Sequence, residues 1–113
     1  MTRTLYLSSF EPQGAYAPRE VTFTKAVHCG ERDDYVWVRI EPPLKANELA
    51  TNTDIEVALL APRHEGGSLL APNSWPVHVY VCRTRRTPIG SASVPPDDVQ
   101  ILNWGILHEE RRT

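Results

Sequence analysis

His28, Cys29, His64, His78 and Cys82 are the side chains best suited to bind a metal or to act as acid, base or nucleophile, and their spacing limits what they can do. His78 and Cys82 share one parity of an extended run and so lie roughly 13 Å apart, whereas two ligands of one zinc each sit about 2.0–2.3 Å from it. His28 and Cys29 are adjacent, and neighbouring strand side chains diverge, which separates a histidine base from a cysteine nucleophile. No metal or cofactor is therefore expected. Gly90-Ser91-Ala92-Ser93 lacks the second glycine of a nucleophile elbow, and Gly66-Gly67 leads into Ser68-Leu69-Leu70 without the Lys-Ser/Thr pair of a phosphate-binding loop. Asp33-Asp34 with Glu31 has the composition of a solvated turn. Arg83, Arg85 and Arg86 form a short cationic cluster whose guanidinium forks suit an anion, so a small polar or anionic ligand is a candidate partner.

The elements that must position these groups show themselves through alternation. Trp75-Pro76-Val77-His78-Val79-Tyr80-Val81-Cys82-Arg83 and Tyr35-Val36-Trp37-Val38-Arg39-Ile40-Glu41 both keep aliphatic residues on one parity and large residues with polar or charged ends on the other. If the two runs and residues 20–28 belong to one sheet, Val21, Phe23, Val27, Val36, Val38, Ile40, Val77, Val79 and Val81 form its core side. The opposite side carries Thr22, Thr24, His28, Tyr35, Trp37, Arg39, His78 and Tyr80. Positions two apart on a strand are about 6.6 Å from each other, so Trp37 with Arg39 and His78 with Tyr80 can line one shallow concavity. Lys25 breaks the core parity of its run, which marks an edge or a solvent-facing end.

Strands are expected near residues 3–9, 20–28, 35–41, 54–61 and 77–83. Turn chemistry separates them at Pro12 to Pro18, Gly30 to Asp34, Pro42-Pro43, Pro62 and Thr87 to Gly90. The Gly30–Asp34 connection predicts an antiparallel hairpin, and Lys45–Ala50 is sufficient for one helical turn. Residues 97–110 read two ways. Asp97 with Gln100 imitates a capped helix, whereas Gly105 and the two-sided distribution of Val99, Ile101, Leu102, Trp104, Ile106 and Leu107 favour a strand buried on both faces. The expected fold class is all-β, a compact antiparallel sandwich or partly open barrel of about six or seven strands, with residues 1–113 as a single β-rich domain. The alternative is α+β, with a C-terminal helix on one sheet.

Hydrophobic residues at 41% and charged residues at 23% describe a globular chain, neither disordered nor fibrous. The longest uninterrupted apolar run, Val57–Ala61, is far short of the roughly 20 residues a membrane helix needs, so no membrane partner is expected. Met1–Ser9 is too polar for a secretory leader, which makes the cytoplasm the expected compartment and keeps both cysteines reduced. A net charge of −2 exerts no long-range pull on a phosphate backbone, so nucleic acid is not the expected partner.

These readings converge on a binding or interaction module rather than an enzyme. Its Tyr35, Trp37, Arg39, His78 and Tyr80 face would dock a small polar or aromatic ligand or a second copy of the chain as a homo-oligomer. The long 62–76 connection, containing His64, Glu65 and Trp75, is the expected functional loop. The rival reading is a small enzyme that uses His64 and Glu65 with His28 or His78 as acid and base beneath Trp75.

Overall fold

A computed structural model describes residues 5–11, 18–49, 51–62 and 76–109. Within them lie seven strands: β1 (Leu5–Glu11), β2 (Arg19–Cys29), β3 (Arg32–Leu44), β4 (Ile55–Pro62), β5 (Val77–Thr84), β6 (Ser93–Val94) and β7 (Val99–Glu109). One helical turn, α1 (Ala46–Leu49), joins β3 to β4, and a single 3-10 turn, Pro96–Asp98, precedes β7. The protein is all-β, and Val99–Glu109 is a strand rather than a helix: Asp97 lies inside the 3-10 turn, which is capped at Pro95 with no side-chain bond, and β7 then pairs with β5 on one side and β1 on the other.

The path is an up-and-down meander that closes on itself. Strands β1 to β5 pair antiparallel in order, β7 follows β5, and β1 completes the ring. The closing seam between β1 and β2 is short, with Leu5 opposite Val21, Tyr6 opposite Glu20 and Leu7 opposite Arg19. Closure removes most of the exposed edge that an open sheet would present. From Thr22 to Val27 the outer side of β2 has no strand beside it among the described residues, and Thr22, Thr24, Lys25 and Ala26 are exposed there. Lys25 therefore stands at an edge, as its broken parity predicts.

The ring interior is an aliphatic core built from Leu5, Leu7, Val21, Val36, Val38, Ile40, Leu60, Val79, Val81 and Leu107, with Phe23, Val77 and Leu102 packed against it. Val27 is not part of it. A register shift between Phe23 and Lys25 inserts Thr24 as an extra residue, and the rest of β2 changes face. Val27 thereby joins Trp37, Leu59, Ala61, Cys82 and Val94 in a second apolar layer on the outer wall. A similar shift between Val81 and Cys82 makes Leu102 the extra residue of β7, so it faces the interior while Trp104 faces outward, and the two do not share a face. Two boundaries also move. Pro42-Pro43 does not end β3, because the prolines fall where the β3–β4 ladder is interrupted between Arg39 and Leu44 and no amide donor is needed. The β2–β3 turn is only Gly30-Glu31 rather than Gly30 to Asp34, with Gly30 at φ 61°.

The outer layer has its own cover. Residues 85–98 leave the end of β5, cross the wall, and return to β7 beside the strand they left. On the way β6 pairs parallel with the tip of β2, matching His28 with Ser93 and Cys29 with Val94. The Trp37 indole N–H donates to the Ser91 carbonyl at 2.9 Å, and the His28 amide donates to the Ala92 carbonyl at 2.9 Å. Buried Asp98 holds the root of this strap by accepting from the amides of Arg86 and Thr87 and from the Thr87 hydroxyl. A side chain at Gly30 would meet the strap as well, since an added Cβ would lie 2.9 Å from Pro96 Cγ.

Candidate ligand-binding clefts on the outer wall

Concavities formed by described residues of the outer wall take up Trp37, Arg39, Tyr35 and Tyr80 of the expected aromatic face, but not His78. One, of about 530 Å³, lies between the start of β4 and the root of the strap, with Trp37, Val57, Arg83, Arg85, Ile89 and Gln100 among its lining residues. A second, about 330 Å³, is lined by Arg39, Glu41, Pro43, Glu56 and Val57. It shares Glu56 and Val57 with the first, so the two adjoin along β4. A third, about 230 Å³, contains Tyr35, Tyr80, Cys82 and Arg32 together with Pro96 and Ile101.

The origin of the cleft beside Trp37 is visible in the strand pairing. β4 and β5 are matched only from Leu59 opposite Cys82 to Pro62 opposite Val79. Ahead of Leu59 the two strands have no mutual pairing, and residues 55–58 of β4 stand apart from Arg83 and Thr84, with the cleft between them. Its two sides carry opposite charge. On one, Arg83 Nε donates to Gln100 Oε1 at 2.9 Å across the β5–β7 ladder, which fixes the plane of the guanidinium, and Arg85 follows exposed. On the other, Asp54 accepts from the Ala46 amide at 3.0 Å and from Lys45 Nζ at 3.4 Å, while exposed Glu56 forms no ion pair with a described residue. The Ala46 amide, ahead of Lys45, holds the Asp54 carboxyl below the usual carboxylate range. Ile89, 66% exposed, forms an apolar rim.

Trp37 is only 1% exposed, so it contributes an edge to the cleft and most of its ring to the second layer. Arg39 is exposed and belongs to the adjoining cleft. Tyr35 and Tyr80 meet in the third, whereas His78 turns to Trp104, whose indole N–H donates to His78 Nδ1 at 3.1 Å. That bond requires Nδ1 to be unprotonated. The five residues expected to make one face thus occupy one wall but separate surroundings. His64, Glu65 and Trp75 lie outside the described residues, and His28 and His78 do not share a cleft.

Around the third cleft, titrating groups are shifted against ionisation. Burial pushes the Cys82 thiol up to about 12, with the Cys29 charge adding to it, and Cys29 is raised chiefly by its own burial. Burial likewise raises Tyr35 to about 12, helped by Cys29, with which it hydrogen-bonds. Arg32 is placed 5.7 Å from the Tyr35 ring centre and is held by a two-point contact to Asp34. Both cysteines are free and buried, and thiols so shifted are inert. Among the described residues no group of three or more His, Cys, Asp or Glu could hold a metal ion, and no helix is long and apolar enough to cross a membrane.

Glu56, Val57, Ile89 and Gln100 have no distinctive motif, and sequence reasoning passes over them. A usable signal does exist in the unbroken Val57–Ala61 run, since a strand apolar on both parities must be covered on both faces. No protein-family model matches the chain, and comparison with curated proteins and with solved structures gave no significant match.

Proposed function

We propose that the protein is a small binding module and that the cleft beside Trp37 is its recognition site. The observation that supports this most is one concavity of about 530 Å³ with an apolar floor and charged sides that the chain leaves partly unneutralised. Its volume falls in the range that holds small organic ligands, and a few polar groups around an apolar base is the usual composition of such sites. The expected ligand has an apolar or aromatic body against Val57 and the Trp37 edge, and a polar or anionic head within reach of Arg83. A reducing compartment such as the cytoplasm suits two buried cysteines that are not bonded to each other. Nucleic acid is disfavoured because the net charge is −2 and Arg86 lies 3.8 Å from Asp98, which takes one of the three arginines out of a basic patch.

Nuclear magnetic resonance titration of the labelled protein with 3-phenylpropionate and indole-3-acetate tests the proposal. Shifts should concentrate at Val57, Arg83, Ile89 and the Trp37 indole N–H. Shifts scattered over the surface, or none at millimolar concentrations of these two acids and of L-phenylalanine and L-tryptophan, would reject the cleft as a binding site. A second reading, self-association, is favoured by Ile101, which is 56% exposed beside Tyr80 at the third cleft. Light scattering should then report a dimer that Ile101→Lys converts to monomer. A wild-type monomer at high concentration removes this reading.

A further inference from the structure

We infer that the cleft beside Trp37 selects a zwitterion of the amino-acid type, carrying a carboxylate and an ammonium group around one apolar side chain, an inference that rests on this cleft being the binding site. Three observations meet there. Arg83 and Arg85 supply cationic donors on one side, and Arg83 is pre-oriented because only its Nε is used by Gln100. A carboxylate accepts two parallel bonds from such a fork, so the anionic end of the ligand belongs there.

The opposite side offers an acceptor that is still available. Asp54 is occupied by Lys45 and the Ala46 amide, but Glu56, next along β4, has neither an ion pair nor a hydrogen bond to a described residue. A purely anionic ligand would meet this carboxylate with repulsion, and a cationic one would meet Arg83 and Arg85. A ligand with both charges satisfies each side. Third, residues 55–58 of β4 have no strand partner on the β5 side. Backbone donors and acceptors along an unpaired strand edge suit a ligand with its own main-chain amide or α-amino and carboxyl groups. Val57 and Ile89, with the Trp37 edge, receive the apolar side chain.

Calorimetric and NMR titration of the full chain tests the inference with L-phenylalanine, L-leucine and L-tryptophan, and with N-acetyl-L-phenylalanine, L-phenylalaninamide and 3-phenylpropionate as analogues lacking one charge. At least one free amino acid should move the Trp37 indole resonance and bind ten-fold or more tighter than its analogues. Glu56→Gln should erase the preference for L-phenylalanine over its N-acetyl form, and Arg83→Gln the preference over phenylalaninamide. Both positions lie outside the apolar layers, so a far-UV spectrum unchanged from wild type certifies the fold. If N-acetyl-L-phenylalanine or 3-phenylpropionate binds as tightly as the free amino acid, the cleft is an anion site: the binding-module reading stands and the zwitterion is lost. If none of the six compounds moves the Trp37 resonance, both are lost.

Discussion

Replacing Trp37 by Phe tests the layer on which every candidate site rests. The indole is 1% exposed, packs with Val27, Leu59 and Cys82, and ties the strap to the wall through its bond to the Ser91 carbonyl. Phe keeps much of the apolar contact but removes the donor, which leaves the carbonyl short of a partner at a cost of about 1 kcal/mol. The smaller ring vacates roughly 40 Å³, and at about 24 cal/mol per Å³ of residual cavity this adds about 1 kcal/mol. The sum is about 2 kcal/mol. A chain of 113 residues has a total stability of about 6–17 kcal/mol, so the variant still folds. Its Tm should fall by about 8 °C, taking roughly 4 °C per kcal/mol for a domain of this size. Urea denaturation followed by far-UV circular dichroism gives the free energy directly, with an unchanged m-value showing that the folded state is as compact as before. Trp37→Ala should cost about 4 kcal/mol. Ile101→Ser, at a position 56% exposed, should stay within about 0.5 kcal/mol of wild type. If Trp37→Phe is equally silent, the ring is not a core residue and the strap is not held through it.

Asp98 titrates against folding. The Thr87 hydroxyl and amide, with the Arg86 amide, hold its carboxyl below the usual carboxylate range. Its folded value lies under its unfolded one, so its stabilisation is present above about pH 4 and is lost as pH falls through the folded value. The urea midpoint of wild type should therefore drop more steeply on acidification than that of Asp98→Asn, and parallel curves would refute this role. Gly30→Ala should cost about 1–2 kcal/mol, since it forces a side chain into positive φ and against Pro96; a variant as stable as wild type in urea would contradict that geometry. Glu48 is the bidentate partner of Arg19, which is 8% exposed and also donates to the Pro42 carbonyl. Glu48→Ala should remove both carboxylate bonds to this cation and lower stability by about 2 kcal/mol, whereas Glu48→Gln should retain part of it. With Cys82 raised to about 12 and Cys29 raised as well, neither thiol should react with Ellman's reagent in the native protein near pH 8, and both should react in urea. Rapid native labelling of either would show that it is not buried.

The alternation in residues 35–41 and 77–83 was enough to establish a β protein and most of its inner core, because side-chain parity along a strand is a local property. The hairpin of β2 and β3, the single turn at Ala46–Leu49 and the exposed Lys25 were legible from local pattern as well. Parity carries only as far as the next bulge, however. Thr24 and Leu102 each shift their strand by one residue, and pairing with β3 and β5 shows what no local pattern contains: Val27 goes to the outer layer and Leu102 to the inner.

The sequence by itself determined which residues combine bulk with a polar end on one wall: Tyr35, Trp37, Arg39, His78 and Tyr80. It could not determine their surroundings. Residues 85–98 cross to β2 before returning beside β5, and that long-range path buries Trp37 while leaving Arg39 exposed. The cleft beside Trp37 likewise exists only because β4 and β5 separate ahead of Leu59, bringing Glu56 and Arg83 to its two sides. Strand separation depends on closing a ring of strands distant in the chain, so only the tertiary structure could decide it.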